Sequence, residues 1–135
     1  NRKRNKEVIK MKIGERDLTV EKEYINDVDE LKDRYPDIHK AYERISKEQF
    51  HLFARKMLDY GKGNISVGSN LDTPEEEKVA LTGLWFRMND KIQRLKQLVL
   101  LNKDAKVKTE SVKDTFQDLS IYGIIAQIVK NKMWK

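Results

Sequence analysis

An all-α bundle of three to four helices, preceded by a polar and basic N-terminal extension, is the fold this sequence predicts. Three observations point to it. Apolar residues return at three- and four-residue intervals through most of residues 38–132, helix start and stop signals bracket those stretches, and period-two alternation is confined to one short run near the N-terminus. The 135 residues fit one domain, with 39% hydrophobic residues to build a modest core and 37% charged residues to solvate its surface. We place the extension at 1–37 and the helical domain at 38–135.

Within the extension, Ile9, Met11 and Ile13 alternate with Lys10 and Lys12 ahead of Gly14. That predicts a short hairpin arm pairing with Leu18 and Val20, in a segment otherwise expected to be disordered. Residues 1–22 hold eight Lys or Arg against four Asp or Glu, which is +4 of the net +6. Arg2, Lys3, Arg4 and Lys6 read either as a solvated tail or as an arm that touches nucleic acid. No aromatic residue is interleaved with them, as base stacking would require. The acidic stretch 27–36 predicts a short helix at most, ended by the bias of the residue before Pro36 away from helical angles.

From Ile38, the recurrence of Tyr42, Ile45, Leu52, Phe53, Met57 and Tyr60 predicts an amphipathic helix ending at Gly61. Ser46 with Gln49 forms a second capping-box pattern that would split it. Residues 61–70 contain three glycines and two asparagines, so they predict either a flexible connector or a loop whose backbone amides meet a ligand. Thr73-Pro74-Glu75-Glu76 is a helix start, with Thr73 as N-cap, Pro74 in the first turn and Glu76 reaching back. That helix is predicted to run to about 101 with a core stripe of Leu81, Leu84, Trp85, Met88, Ile92, Leu95 and Val99. Arg87, Lys91 and Arg94 border the stripe within about 60° of one another. A polar turn at 102–108 leads to a last helix over 110–132. Its isoleucines leave it apolar on nearly every side, which predicts a homodimer. Trp85 and Trp134 are expected as core or interface anchors.

With no cysteine and only His39 and His51, the chain has no disulfide and too few nitrogen ligands for a typical zinc site. No apolar run approaches the roughly 18 residues of a membrane span and no signal-peptide pattern opens the sequence, so no membrane partner and a cytoplasmic location are expected. Residue 1 is Asn rather than Met, as in a trimmed or partial product.

Glu110, Asp114 and Asp118 carry the sharpest chemical signal. Read on one helix at four-residue spacing, their carboxyls fall within roughly 80° of one another, and Ile121, Ile125 and Ile128 continue the sector. The acids therefore face a groove, and like charges in that position call for a cation. The predicted occupant is Mg²⁺ or Mn²⁺, since any metal here is held by oxygens. Opposite them, Arg87, Lys91 and Arg94 read as a phosphate-and-carboxylate network. The bland alternative is a set of interhelical salt bridges with no ligand.

Four blocks carry a resemblance: Asp59-Tyr60-Gly61 with Asn64; Arg87-Met88-Asn89-Asp90-Lys91-Ile92-Gln93-Arg94; Glu110-Ser111; and Asp114-Thr115-Phe116-Gln117-Asp118-Leu119-Ser120-Ile121-Tyr122. Over about residues 50–130 they resemble the nucleotide modification associated domain 1 family of phage and bacteria. Its signature reads approximately D-Y-G, R-x-x-D-K-x-x-R and E-S-x-x-D-T-x-x-D-L-x-x-Y. More distantly, the layout is similar to the MazG-like all-α nucleoside triphosphate pyrophosphohydrolases. Those enzymes hold Mg²⁺ with acids from two antiparallel helices, the earlier bearing E-E-x-x-E. Here Glu75, Glu76 and Glu77 cluster at the helix start and Asp90 comes later, so Asp90 would meet the other acids across a dimer, or Glu77 would replace it.

The resemblance implies a role in nucleotide metabolism, in the host cytoplasm for a phage-encoded chain. In the enzyme reading, a (modified) deoxynucleoside triphosphate is hydrolysed. Glu110, Asp114, Asp118 and Asp90 would be metal ligands, and Asp118, Asp114 and Lys91 would carry the chemistry. Asp59, Tyr60, Gly61, Asn64, Arg87, Arg94 and Tyr122 would contact substrate. Two alternatives stand beside it: a nucleotide-binding accessory module without turnover, and a structural or nucleic-acid-binding helical protein.

Overall fold

The computed structural model describes the backbone of residues 10–11 and 16–135 and the side chains from residue 20 onward. The tail residues Arg2 to Lys6, and the strand positions Ile9, Ile13 and Gly14, lie outside the described residues. The described residues are all-α apart from a two-pair ladder, in which β1 (Lys10–Met11) runs antiparallel to β2 (Arg16–Asp17). It divides into two compact units, Asn1–Glu48 and Gln49–Lys135.

In the first unit, Leu18 and Val20 do not form the predicted second arm. They open helix α1 (Leu18–Arg34), which also replaces the short helix expected over 27–36. The reason is local: Tyr24, Val28 and Leu31 keep helical spacing, and Arg34 bonds Glu30 one turn back at 2.9 Å. Helix α2 (Pro36–Tyr60) follows after Tyr35 alone. The Tyr35 N–H donates to the Leu31 carbonyl at 2.7 Å, and the His39 N–H donates to the Tyr35 carbonyl at 3.0 Å. The ladder therefore runs through the break at Pro36, where proline removes one donor and disturbs the turn without reversing the chain. Ser46 and Gln49 do not split α2. Pairs Lys47–Glu43 and Arg44–Glu48, at 3.1 and 3.7 Å, bridge that point and hold Ser46 in helical conformation.

The second unit holds the core. Helix α2 ends at Gly61, whose φ of +71° and N–H to the Met57 carbonyl at 2.8 Å give a left-handed cap. The predicted loop contains a single turn, α3 (Gly63–Ser66), anchored by buried Ile65. Helix α4 (Pro74–Leu95) starts as read: the Thr73 hydroxyl accepts from the Glu76 N–H. Glu76 returns to the Asp72 N–H at 2.8 Å, one residue beyond the cap. The helix then widens into a π turn, Lys96–Leu100, and stops at Asn102 with φ +50°. Helix α5 (Val112–Lys130) begins at Ser111, so Glu110 lies outside it.

Ala80 and Leu84 of α4 meet Ile121, Ile125 and Val129 of α5, closed by Ile65 and Trp134 and flanked by Leu52, Phe53 and Met57. Leu84, 1% exposed, contributes roughly 1.5–3 kcal/mol by burial alone. Trp134 is a core anchor as expected: its indole N–H reaches the Lys62 carbonyl at 3.0 Å and its ring meets Phe53 edge-on. Trp85 is not, being 57% exposed against Phe86. The packed face of α4 is rotated from the predicted stripe. It centres on Glu77, Ala80, Leu84 and Lys91, leaving Ile92 and Val99 about half exposed. Polar side chains on that face have partners on α5, which apolar periodicity cannot register. Among the described residues, no helix is long and apolar enough to cross a membrane.

One such partner set clamps the far end of the α4–α5 pair. Glu77 accepts from Lys130 at 2.7 Å and Lys132 at 2.9 Å, and the Lys130 and then Lys132 bonds bring its carboxyl down to about 2 from an ordinary 4.5. A folded-state value below the unfolded one stabilises the protein above pH 4.5, and that stabilisation is lost as pH falls toward 2. Melting temperature should therefore drop over that interval and drop less steeply in Glu77→Gln; identical pH slopes for the two proteins would contradict the clamp.

Candidate functional site

Two helical faces in the second unit line a cleft of about 330 Å³. One is Phe53, Lys56, Met57 and Tyr60 on α2, the other Asp118, Ile121, Tyr122 and Ile125 on α5. Both sets follow the i, i+3, i+4, i+7 spacing of a single helix side. Asn64 and Ile65 from the α3 turn, Arg87 from α4 and Trp134 complete the wall. The floor is apolar because Ile65, Ile121, Ile125 and Trp134 belong to the core, and the charged groups stand on it. The volume lies at the low end of the roughly 300–1,000 Å³ of small-molecule sites.

Arg87 holds the loop to α4: its Nη2 donates to the Asn64 carbonyl at 3.0 Å and to Asn64 Oδ1 at 3.3 Å. The αL residues Gly61, Val67, Gly68 and Leu71 let this loop turn back over the helices. Val67 and Leu71 adopt that conformation without glycine's freedom, a local cost of about 1–2 kcal/mol each.

Behind the cleft lies a charge network on the opposed faces of α4 and α5. Lys91 Nζ stands 2.8 Å from Glu110 Oε1 and 3.0 Å from Asp118 Oδ2, and Lys56 approaches Asp118 from α2 at 3.9 Å. The Lys91 bond holds the Glu110 carboxyl below its ordinary value. The Glu110 bond, against the opposing cost of burial, keeps the Lys91 ammonium above its own. One turn along, Arg94 donates to the Glu110 carbonyl at 2.7 Å, the Thr115 hydroxyl at 2.6 Å and the Ser111 carbonyl at 3.3 Å. Asp114 accepts from the Ser111 N–H and hydroxyl at 2.9 and 2.8 Å, while the Ser111 hydroxyl accepts from the Asp114 N–H. That reciprocal box lowers the Asp114 carboxyl, the backbone N–H being the larger cause.

The predicted stripe of three acids is thus a different object. Glu110 precedes the helix, Asp114 is turned to the cap, and Asp118 alone enters the cleft. Asp90 is exposed about 100° around α4 from Lys91. Glu77 is packed inward as read, but fourteen residues from Lys91, about 21 Å along the helix. Among the described residues, no three His, Asp or Glu side chains gather closely enough to hold a metal ion. The only cation joining Glu110 to Asp118 in the contacts described is the Lys91 ammonium.

Of the residues predicted to contact substrate, Tyr60, Asn64, Arg87 and Tyr122 line the cleft; Asp59, Gly61 and Arg94 do not. Gly61 shapes the loop and Arg94 secures the start of α5. The sequence reading misses Lys56, assigns Phe53 to the apolar face of its helix and expects Trp134 as a core or interface anchor, where both rings also line the cleft. Lys56 had a signal, as the one cation on a face shared with Phe53, Met57 and Tyr60. Trp134 had none, since it lies beyond the last helix. Compared with known families, characterised proteins and solved structures, the chain has no match.

The network makes Asp114 and Arg94 structural. Ser111→Ala should cost about 1 kcal/mol as a lost cap. Arg94→Lys should cost roughly 2–3 kcal/mol, because the acceptors are spread over two nitrogens of a planar fork that a compact ammonium does not reproduce. Chemical denaturation checks both; an Arg94→Lys protein as stable as the parent would contradict the assignment.

Proposed function

We propose that the cleft binds a nucleotide and that the protein is a nucleotide-binding module acting without a catalytic metal. One observation carries this reading: two cations, Lys56 and Arg87, share a small apolar-floored cleft with the rings of Phe53, Tyr60, Tyr122 and Trp134 and the amide of Asn64. Phosphate pairs with the cations, bidentately in the case of a guanidinium. The base lies against the aromatic edges, and Asn64 and Asp118 offer polar groups to base or sugar. The resemblance to the nucleotide modification associated domain 1 family favours a nucleotide over other aromatic anions, with a modified deoxynucleotide in a phage or host cytoplasm as its specific form.

Hydrolysis with Mg²⁺ or Mn²⁺ is the reading this one displaces. It would require Glu110 and Asp118 to exchange Lys91 for a metal, and Asp114 to leave its cap. Binding in place of turnover leaves the network intact.

Calorimetric titration with canonical and modified deoxynucleoside mono- and triphosphates tests the proposal, in EDTA and again with Mg²⁺ while products are monitored. Binding should persist in EDTA with no product formed. Arg87→Ala and Lys56→Ala should each weaken it by about tenfold or more, as expected for a charge-assisted contact worth over ~1.4 kcal/mol. Absence of binding across the panel would refute the module. Metal-dependent release of pyrophosphate or phosphate, lost in Asp118→Asn, would install the hydrolase in its place.

A further inference from the structure

Among the described residues, the first unit presents an apolar seam that is largely exposed. From Tyr24 the seam steps by four and three residues in strict alternation through Val28, Leu31 and Tyr35, then Ile38, Tyr42 and Ile45. Seven positions in this order span three heptads, with Tyr24, Leu31, Ile38 and Ile45 as d and Val28, Tyr35 and Tyr42 as a. A sustained heptad of apolar a and d positions is the pattern by which one helix packs along another, with a left-handed supercoil. The structure supplies the helix: α1 and the first turns of α2 carry the seam, and the hydrogen bonds through Tyr35 keep it in phase. Pro36 falls at b, outside the seam. Five of its seven positions are exposed, among them Tyr24 at 66%, Ile38 at 59% and Tyr42 at 74%, while Val28 and Leu31 are half-buried.

We infer that this helix pairs with its own counterpart in a second copy of the chain, as a parallel two-stranded coiled coil. Three observations select that occupant. Most of a helix's stability in a protein comes from packing its apolar face, and here that face is largely exposed. Parallel in-register pairing sets Asp27 at g opposite Lys32 at e of the second copy, an attractive pair, whereas the antiparallel registers that keep a opposite d set Asp27 against Ala41 or Glu48 and form no attractive flanking pair. The intrahelical bridges Glu30–Arg34, Glu43–Lys47 and Arg44–Glu48 use positions b, c, f and g, and so leave the a and d side chains for the partner. The area is sufficient. At roughly 150–250 Å² per buried ring, the exposed parts of the three tyrosines amount to some 300–500 Å² per copy. With Ile38 and Ile45 added, the pair reaches the roughly 1,000 Å² at which specific interfaces begin. This places a dimer contact on the N-terminal helix, where the sequence had suggested the isoleucine-rich last helix; there Ile121, Ile125 and Val129 are already buried within the chain.

The absence of cysteine makes the test direct. Single cysteines are introduced into the full chain at the seam, Tyr42→Cys, and at an outward f position, Lys40→Cys. Both are oxidised under mild conditions, with sedimentation equilibrium of the unmodified protein alongside. A parallel coiled coil brings position 42 to its own mate within disulfide reach, so Tyr42→Cys should form a covalent dimer about tenfold faster than Lys40→Cys. The unmodified protein should sediment as a dimer, and Ile38→Lys should return it to monomer with the melting of the second unit unchanged. A monomeric parent, a dimer that survives Ile38→Lys, or equal cross-linking at 40 and 42 would each overturn the inference.

Discussion

Lys91 between Glu110 and Asp118 is the interaction on which the rest of the second unit depends. Its carboxylate partners stand on either side of the start of α5, so one ammonium ties the approach to that helix, its second turn and the middle of α4. Arg94, one turn further along α4, completes the attachment through the carbonyls of Glu110 and Ser111 and the fully buried Thr115 hydroxyl. Removing one member of such a set would leave desolvated charge behind, which costs more than the pair contributes when whole. With α5 placed in this way, Asp118 and Tyr122 face Lys56 and Tyr60 across the cleft. The floor, the charged wall and the loop over Arg87 then follow from the same helix register.

Seen this way, the polar blocks at 87–94 and 110–122 form one connected structure. Arg87 fastens the loop, Lys91 and Arg94 fasten α5, Ser111 and Asp114 cap it, and Thr115 fills the space beneath. A spacing of polar residues that looks like an active site can be the means by which two helices and a loop are held in fixed relation. The cleft is then where that rigid frame leaves room, and its chemistry comes from side chains at the margin of the network.

Much of the helical layout was legible because it rests on local signals. Thr73-Pro74, Gly61 and the break at Pro36 each act through their own backbone conformation, and each appears where the sequence put it. Legibility failed where partners decide. Helix α1 looked too polar to persist, yet its heptad seam and i,i+4 pairs are helical information that a search for one apolar core overlooks. The face of α4 was read from Trp85 and Ile92, whereas Glu77 and Lys91 are packed inward because α5 supplies opposite charges to both. At the site, Tyr60, Asn64, Arg87, Asp118 and Tyr122 were legible as a polar constellation. The placement of Glu110 was not, because a shift of two residues in the start of α5 takes a carboxylate off the helix, and helix ends are set by caps such as Ser111 that compete with neighbouring candidates.

Lys91 already supplies the cation that the acids at 110 and 118 require. Thermal unfolding of the parent and of Lys91→Met across a titration of Mg²⁺ and Mn²⁺ tests it most directly. The parent melting temperature should not respond specifically to either metal, and Lys91→Met should be less stable and partly restored by divalent ions. A saturable rise in the parent, abolished by Asp118→Asn, would show instead that a metal outcompetes the lysine for these carboxylates.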